Sequence, residues 1–229
     1  MIKIYEELIQ GSPEWLQARC GLLTASEMKL ILSPETKKPA NNDKVRAHVW
    51  ELAAQRISGY VEPSYIGDDM MRGEVDEIYA RDLYDKNCAP VRQVGFITND
   101  KWGFTIGYSP DGLIGAPGLI EIKSRKQKYQ VEAIVTDAVP EEFILQIQTG
   151  LLVSERKWVD FISYSGGLPL YIKRVLPDKK IQDAIISAAA LFEKRVSDNM
   201  NTYKKLMSGR KKWIQTERQI ETEEEFDDG

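Results

Sequence analysis

Cysteine and histidine are nearly missing from this chain: its 229 residues include two cysteines, Cys20 and Cys88, and one histidine, His48. No CxxC pair is present, so zinc sites built on thiolates or imidazoles, haem ligation and a four-cysteine iron–sulfur cluster are excluded as organising centres. A metal here would need oxygen ligands. With His48 alone, metal-free acid–base hydrolysis of a phosphodiester also lacks its usual machinery. No run approaches the roughly 20 consecutive apolar residues of a membrane-spanning helix, and the opening MIKIYEELIQ lacks the basic-then-apolar order of a secretory signal. No membrane association and a cytoplasmic location are therefore expected, with both cysteines reduced and buried. Internal repeats, long Gly/Ser/Pro linkers and low-complexity runs are missing too, except for the C-terminal ETEEEFDDG. One domain over residues 1–220 and an acidic, disordered tail over 221–229 are expected.

An apolar content of 42% can supply a sizeable core, and a formal charge of −4 argues against a generally basic, nucleic-acid-coating protein. The charge is uneven: KSRKQK (Lys123 to Lys128) and GRKKW (Gly209 to Trp213) are basic clusters, opposite in sign to the tail. The first third reads as helical. Ser12 before Pro13, and Thr24 or Ser26 before an apolar run, are candidate N-caps. Val45, Val49, Leu52 and Ala53 recur at helical spacing, as do Met70, Ile78 and Leu83 further on. The middle switches to short β-branched or aromatic runs, broken at Asn99-Asp100, Pro110-Asp111-Gly112 and Ala116-Pro117-Gly118, which predicts an antiparallel meander. A helix over PEEFILQIQTGLLVSE, strands at KWVDFISYS and PLYIKRVL, and a long helix from Asp178 to about Met207 complete an α/β core with a central mixed sheet flanked by helices.

The informative stretch is GLIEIKSRK, Gly118 to Lys126. Leu119, Ile120 and Ile122 suit a buried strand, but Glu121 and Lys123 project together to one side, which folding alone does not require. Ten residues earlier Asp111 lies in a turn, and a hairpin would bring its carboxylate beside that of Glu121. Two carboxylates suit magnesium, which takes one or two protein carboxylates and keeps waters for substrate phosphate. Lys123 could then orient and help deprotonate a water, and the Ile122 carbonyl is a further possible ligand. Each residue also has an ordinary explanation: a turn aspartate, a surface pair on an edge strand, a solvated basic face.

Asp, spacer, Glu-x-Lys, here SPDG followed by EIK, resembles the motif of the PD-(D/E)xK nuclease superfamily, whose core is restriction-endonuclease-like. The blocks LTAS, RGxxxE, SPDG…EIK and QIQ occur in the order and approximate spacing of the phage λ exonuclease and YqaJ-like viral recombinase family, over roughly Gly11 to Tyr171. The resemblance implies a magnesium-dependent enzyme, with manganese as a substitute and two ions per site. It implies processive digestion of one strand of double-stranded DNA, 5′ to 3′, from a 5′-phosphorylated end. A homotrimeric ring, a phage or prophage origin in a bacterial host and a single-strand annealing partner follow from the same resemblance. Asp111, Glu121 and Lys123 correspond to the catalytic set, with Glu77 and the Ile122 carbonyl as additional metal contacts. Arg19, Ser26, Ser109 and Gln146 correspond to a 5′-phosphate pocket, where an arginine fork with hydroxyl and amide donors suits a phosphate dianion. Met70 corresponds to a wedge that parts the first base pair. A site-specific endonuclease or repair nuclease would share Asp111, Glu121 and Lys123, and a catalytically inactive DNA-end binding protein would keep the fold without needing the lysine.

Overall fold

In the computed structural model, residues 1–63, 67–209 and 211–218 are described, those at 68–70 by their backbone alone. The acidic tail expected over residues 221–229 lies outside them. Among the described residues sixteen elements follow in order, and the N-terminal residues, read as helical, begin instead with a strand, β1 (Ile2–Tyr5). Then come α1 (Pro13–Arg19), β2 (Leu23–Thr24), a 3-10 turn (Ala25–Glu27), α2 (Met28–Ile31), α3 (Asp43–Ser58) and α4 (Asp68–Asn87). The strands β3 (Phe96–Asn99), β4 (Ile106–Tyr108), β5 (Gly112–Ile114) and β6 (Gly118–Ser124) occupy the middle. Helices α5 (Gln127–Thr136) and α6 (Glu141–Ser154), strands β7 (Trp158–Tyr164) and β8 (Tyr171–Val175), and α7 (Lys179–Met207) close the chain.

The helix starts follow their sequence signals. Ser12 Oγ accepts from the Trp15 N–H at 3.2 Å with Pro13 at the first position, Asn42 Oδ1 accepts from Val45 at 3.0 Å, and Asp178 Oδ1 accepts from Lys180 and Ile181.

The expected single meander divides in two. One four-stranded sheet has the order β1-β3-β4-β2, the other β5-β6-β7-β8. The break falls at Ser109-Pro110-Asp111, between β4 and β5, where proline removes a ladder donor. Each sheet is mixed: β1, β3 and β4 pair antiparallel and β2 joins β4 in parallel, while β6 pairs antiparallel with β5 and parallel with β7. The parallel β6–β7 pair needs a crossover, and α5 and α6 supply it. The sequence reading did not expect α5, because KSRKQK masks the start of a helix that buries Gln130 and Ala133.

Strand β6 separates two apolar clusters. Leu119 joins Phe161, Leu145 and Val159 in the main core, which also takes in α3, α6 and α7, whereas Ile120 and Ile122 pack with Ala80 and Tyr84 of α4. Helix α4 turns a different face inward from the one its apolar spacing suggested. Ile78 and Leu83 are exposed, and Ala80 and Tyr84 are buried. The Tyr84 hydroxyl donates to Asp160 Oδ2 at 2.7 Å, and Arg174 pairs with the same carboxylate through two nitrogens at 2.8 Å while lying over the Trp158 ring. This network ties α4 to β7 and β8 and so fixes where α4 presents its remaining side chains. Tyr84→Phe removes a buried hydrogen bond to a charged acceptor, and urea unfolding should show a loss of about 1.5–3 kcal/mol. An unchanged midpoint would mean that Arg174 alone satisfies Asp160.

Candidate active site

Because side chains alternate along β6, Glu121 and Lys123 project to the same face as Leu119, the side where α6 packs. Glu121 is 1% exposed on an interior strand, which removes the surface-pair explanation. A carboxylate taken out of water is costly unless paired and hydrogen-bonded. Three donors meet this one. Lys123 Nζ lies 2.8 Å from Oε1. The Gln146 amide donates to the same oxygen from α6. The Tyr108 hydroxyl donates to Oε2 at 3.0 Å from the end of β4. One helical turn after Gln146, Gly150 makes Tyr108's position possible, since a Cβ there would lie 2.7 Å from the tyrosine ring. Burial and the charges of Glu121 and Asp111 push the Tyr108 phenol far above its ordinary pKa, so it remains a donor.

Asp111 stands at the entry to the β5–β6 hairpin, whose register places Gly112 opposite Ile120. Its Oδ2 accepts from the Ile122 N–H at 2.5 Å. Glu77 arrives from α4, paired with Arg81 at 3.1 Å, and Arg81 also donates to the Asp111 carbonyl at 3.4 Å. Burial first, then the charges of Glu121 and Glu77, hold the Asp111 carboxyl well above the usual range, against the pull of Lys123 and the Ile122 N–H. Burial also raises Glu77; Arg81 opposes the rise and Glu121 adds to it. For Lys123, burial favours the neutral amine, but Glu121, Asp111 and Glu77 outweigh it and the ammonium holds its proton more tightly than usual.

Among the described residues, no three His, Cys, Asp or Glu side chains close into one metal-holding group. Asp111 and Glu121 therefore offer a pair of carboxylates, with Glu77 coupled to them by charge. That donor set fits a hard cation of the magnesium type, which needs only one or two protein carboxylates. Three acids against Lys123 and Arg81 also leave the site short of positive charge.

Three of the four residues expected to hold a phosphate gather around Arg19, the last residue of α1. Its Nη1 donates to Ser109 Oγ at 3.2 Å and its Nη2 to Thr24 Oγ1 at 3.4 Å, and Thr24 Oγ1 lies 3.2 Å from Ser26 Oγ. The guanidinium stacks 4.2 Å from the Trp15 ring, whose Nε1 donates to Ser109 Oγ at 3.0 Å. Burial lowers the Arg19 pKa and Glu27 partly restores it. Gln146, the fourth, is engaged with Glu121 instead. Gln148 is not part of the site: its amide clamps Leu176 O and the Asp178 N–H before α7. The side chain of Met70 lies outside the described residues. Trp15 and Tyr108 escaped the sequence reading, and Thr24 entered it only as a candidate cap; the local hint was the adjacency of Tyr108 and Ser109 to the Pro-Asp-Gly turn. The cysteines also differ from expectation, for Cys20 is half-buried and Cys88 exposed.

Residues 14–157 match the model of the YqaJ-like viral recombinase domain. Among solved structures, an alkaline exonuclease from Laribacter hongkongensis is 30% identical with a TM-score of 0.71, covering 85% of this chain and 100% of its own. The same protein in complex with dAMP gives 31% identity, the same TM-score and the same coverage. A phage-related exonuclease from Haemophilus somnus 129PT, at 15% identity and a TM-score of 0.50 over 82% of this chain and 95% of its own, shares the fold. Comparison with curated proteins gives no significant match.

The raised Asp111 pKa has a thermodynamic sign. The folded state binds this proton more tightly than the unfolded state, so stability falls as pH climbs from about 3.8 towards the folded value. Asp111→Asn removes that loss while its amide oxygen still accepts the Ile122 N–H. In EDTA at pH 8 the variant should melt higher than the native protein by about 2–4 °C or more, with the difference closing near pH 4. Magnesium should narrow the gap by stabilising the native protein alone. A variant that melts at or below the native protein at pH 8 would contradict this assignment.

Proposed function

The chain belongs to the YqaJ-like viral recombinase domain family, and from that premise we propose that it is a magnesium-dependent exonuclease acting on double-stranded DNA. It digests one strand processively, 5′ to 3′, from a 5′-phosphorylated end and leaves a 3′ single-stranded overhang. The observation that carries this reading is the junction of two consecutive residues: Tyr108 donates to the buried Glu121, and Ser109 accepts from Arg19. A cutting centre and a pocket suited to a terminal phosphate are thereby joined at a fixed distance, as an enzyme that removes nucleotides from an end requires.

When bound, magnesium or manganese, two ions in the full site, neutralises phosphate charge and lowers the pKa of a water. Asp111 and Glu121 would hold the first ion, and the Ile122 carbonyl and Glu77 would supply the remaining oxygens for a second. Lys123, which keeps its proton, donates to the attacking water or to a phosphate oxygen. Gln146 spends one amide proton on Glu121 and has a second for the phosphate. In the pocket the Arg19 fork supplies charge-assisted donors to the 5′-phosphate, and the hydroxyls of Ser26 and Ser109 turn their protons towards it. Met70 near the start of α4 serves as the strand-parting wedge. The chain assembles as a homotrimeric ring that holds the duplex and passes the exposed 3′ strand to a single-strand annealing protein in phage-type recombination in a bacterial host cytoplasm. Its net charge of −4 is compatible with this, since a ring needs a positive lining on its inner face alone.

The test compares linear duplexes ending in 5′-phosphate or 5′-hydroxyl with closed circular DNA, in magnesium, for native protein, Lys123→Ala and Arg19→Ala. Loss of the linear duplexes only is expected, fastest with 5′-phosphate. Lys123→Ala should be inactive, and Arg19→Ala should erase the preference for 5′-phosphate. Cutting of the circle would identify an endonuclease, and tight end binding without cleavage an inactive end-binding protein.

A further inference from the structure

Beyond the cutting centre, β6 runs on to an arginine that neither the site nor the core accounts for. Arg125 follows Lys123 by two residues, and its N–H donates to Tyr164 O at 2.7 Å, extending the β6–β7 ladder. Its side chain is 8% exposed, yet Nη1 has no hydrogen-bond partner among the described residues. Its ion pair with Glu142 Oε1, at 3.8 Å, is too long for a hydrogen bond, and the Glu142 side chain is 63% exposed. The guanidinium lies over two rings, 5.0 Å from Tyr129 and 5.4 Å from Phe143, and Lys123 Nζ lies 5.5 Å from the same Phe143 ring. Aromatic faces steady a guanidinium while leaving its in-plane donors unused. A buried charged donor that makes no hydrogen bond is disfavoured by more than a neutral one, and a long pair with an exposed carboxylate offsets little of this.

A second feature points the same way. Arg125 immediately precedes Lys126, the cap residue of α5, a ten-residue helix whose first turn contains no acid. The Lys126 carbonyl accepts from the Tyr129 N–H at 2.9 Å, but its side chain makes no cap, so this start offers the Gln127 and Lys128 N–H groups and a positive dipole end beside the guanidinium. Lys123 and Arg125 face the same side of the strand about 6.6 Å apart, roughly one nucleotide step along a backbone.

The geometry points to a second anion subsite, in which Arg125 and the start of α5 bind a backbone phosphodiester of the DNA next to the one being cut. The inference rests on the nuclease reading above and adds a residue that sets where the strand lies relative to Lys123. Sequence-independent phosphate contacts of this kind fix register and contribute to the salt dependence of binding.

The experiment measures fluorescence anisotropy of a 5′-phosphorylated duplex in EDTA, so that no strand is cut, across a salt series with native protein, Arg125→Gln, Arg125→Lys and Glu142→Gln. Arg125→Gln should weaken binding roughly tenfold or more. It should flatten the slope of log K against log salt by about 0.9, with no fall in melting temperature. Arg125→Lys should restore the slope, and Glu142→Gln, which removes the competing carboxylate, should tighten binding. Native binding with an unchanged slope in Arg125→Gln, or weaker binding in Glu142→Gln, would overturn the subsite while leaving the nuclease reading intact. A native protein that does not hold the duplex at any salt would overturn both. A lower melting temperature with unaltered binding would show that Arg125 is a packing residue.

Discussion

The burial of the Glu121 carboxylate is the constraint on which the active end of this molecule depends. A strand interior favours apolar side chains, and an acid placed there is tolerated only if neighbouring elements bring it donors. Here each donor comes from a different part of the fold: Lys123 from the same strand, Gln146 from the crossover helix and Tyr108 from the other sheet. The chain gives way elsewhere to allow this. Residue 150 is a glycine so that the tyrosine ring can fit under α6, and the two sheets part at Pro110 so that Asp111 can turn back onto Ile122. Buried polar networks of this type favour one arrangement, because a half-satisfied version is worse than an apolar core.

The parts of the fold that declared themselves in the sequence were those governed by local rules. Alternation in GLIEIK, the cap at Ser12, the long helix running on from Asp178 and helical spacing over Val45 to Ala53 each need only a few neighbouring residues, and each was found in place. The misreadings share a physical cause: they concern choices settled by distant partners. The periodicity of α4 was legible, but which face is buried depends on Asp160 and the β7–β8 surface, so Tyr84 went in and Ile78 stayed out. Helix α5 was overlooked because a basic run reads as a solvated loop unless the buried partners of Gln130, Ser163 and Pro169, are known. The site divides in the same way. Asp111, Glu121 and Lys123 lie within thirteen residues of one another, and their convergence follows from one hairpin. Trp15 carries no pattern linking it to Ser109, whereas Tyr108 and Thr24 are linked only by lying next to Ser109 and near Ser26, and their contacts became visible only in the structure.

Charge is organised at short range in this acidic chain. Arg19 sits among hydroxyls and against an aromatic face, Lys123 among acids, and Arg125 between two rings with a donor unspent. A polyanion approaching the far end of β6 would meet these groups at close quarters, whatever the sum over the surface. Ser109 just past the end of β4 holds Arg19 of α1, while Lys123 on β6 and Arg125 just past its end lie on one strand line.

The most direct test of Glu121's role is the initial rate at which a linear duplex is converted to acid-soluble nucleotide in magnesium, compared between native protein and Glu121→Gln, with circular dichroism to confirm folding. A neutral amide of the same shape keeps the packing and removes the charge. Loss of several kcal/mol of transition-state stabilisation corresponds to a fall of about a thousandfold, the result the account predicts. A folded Glu121→Gln protein that degrades the duplex at the native rate would contradict it.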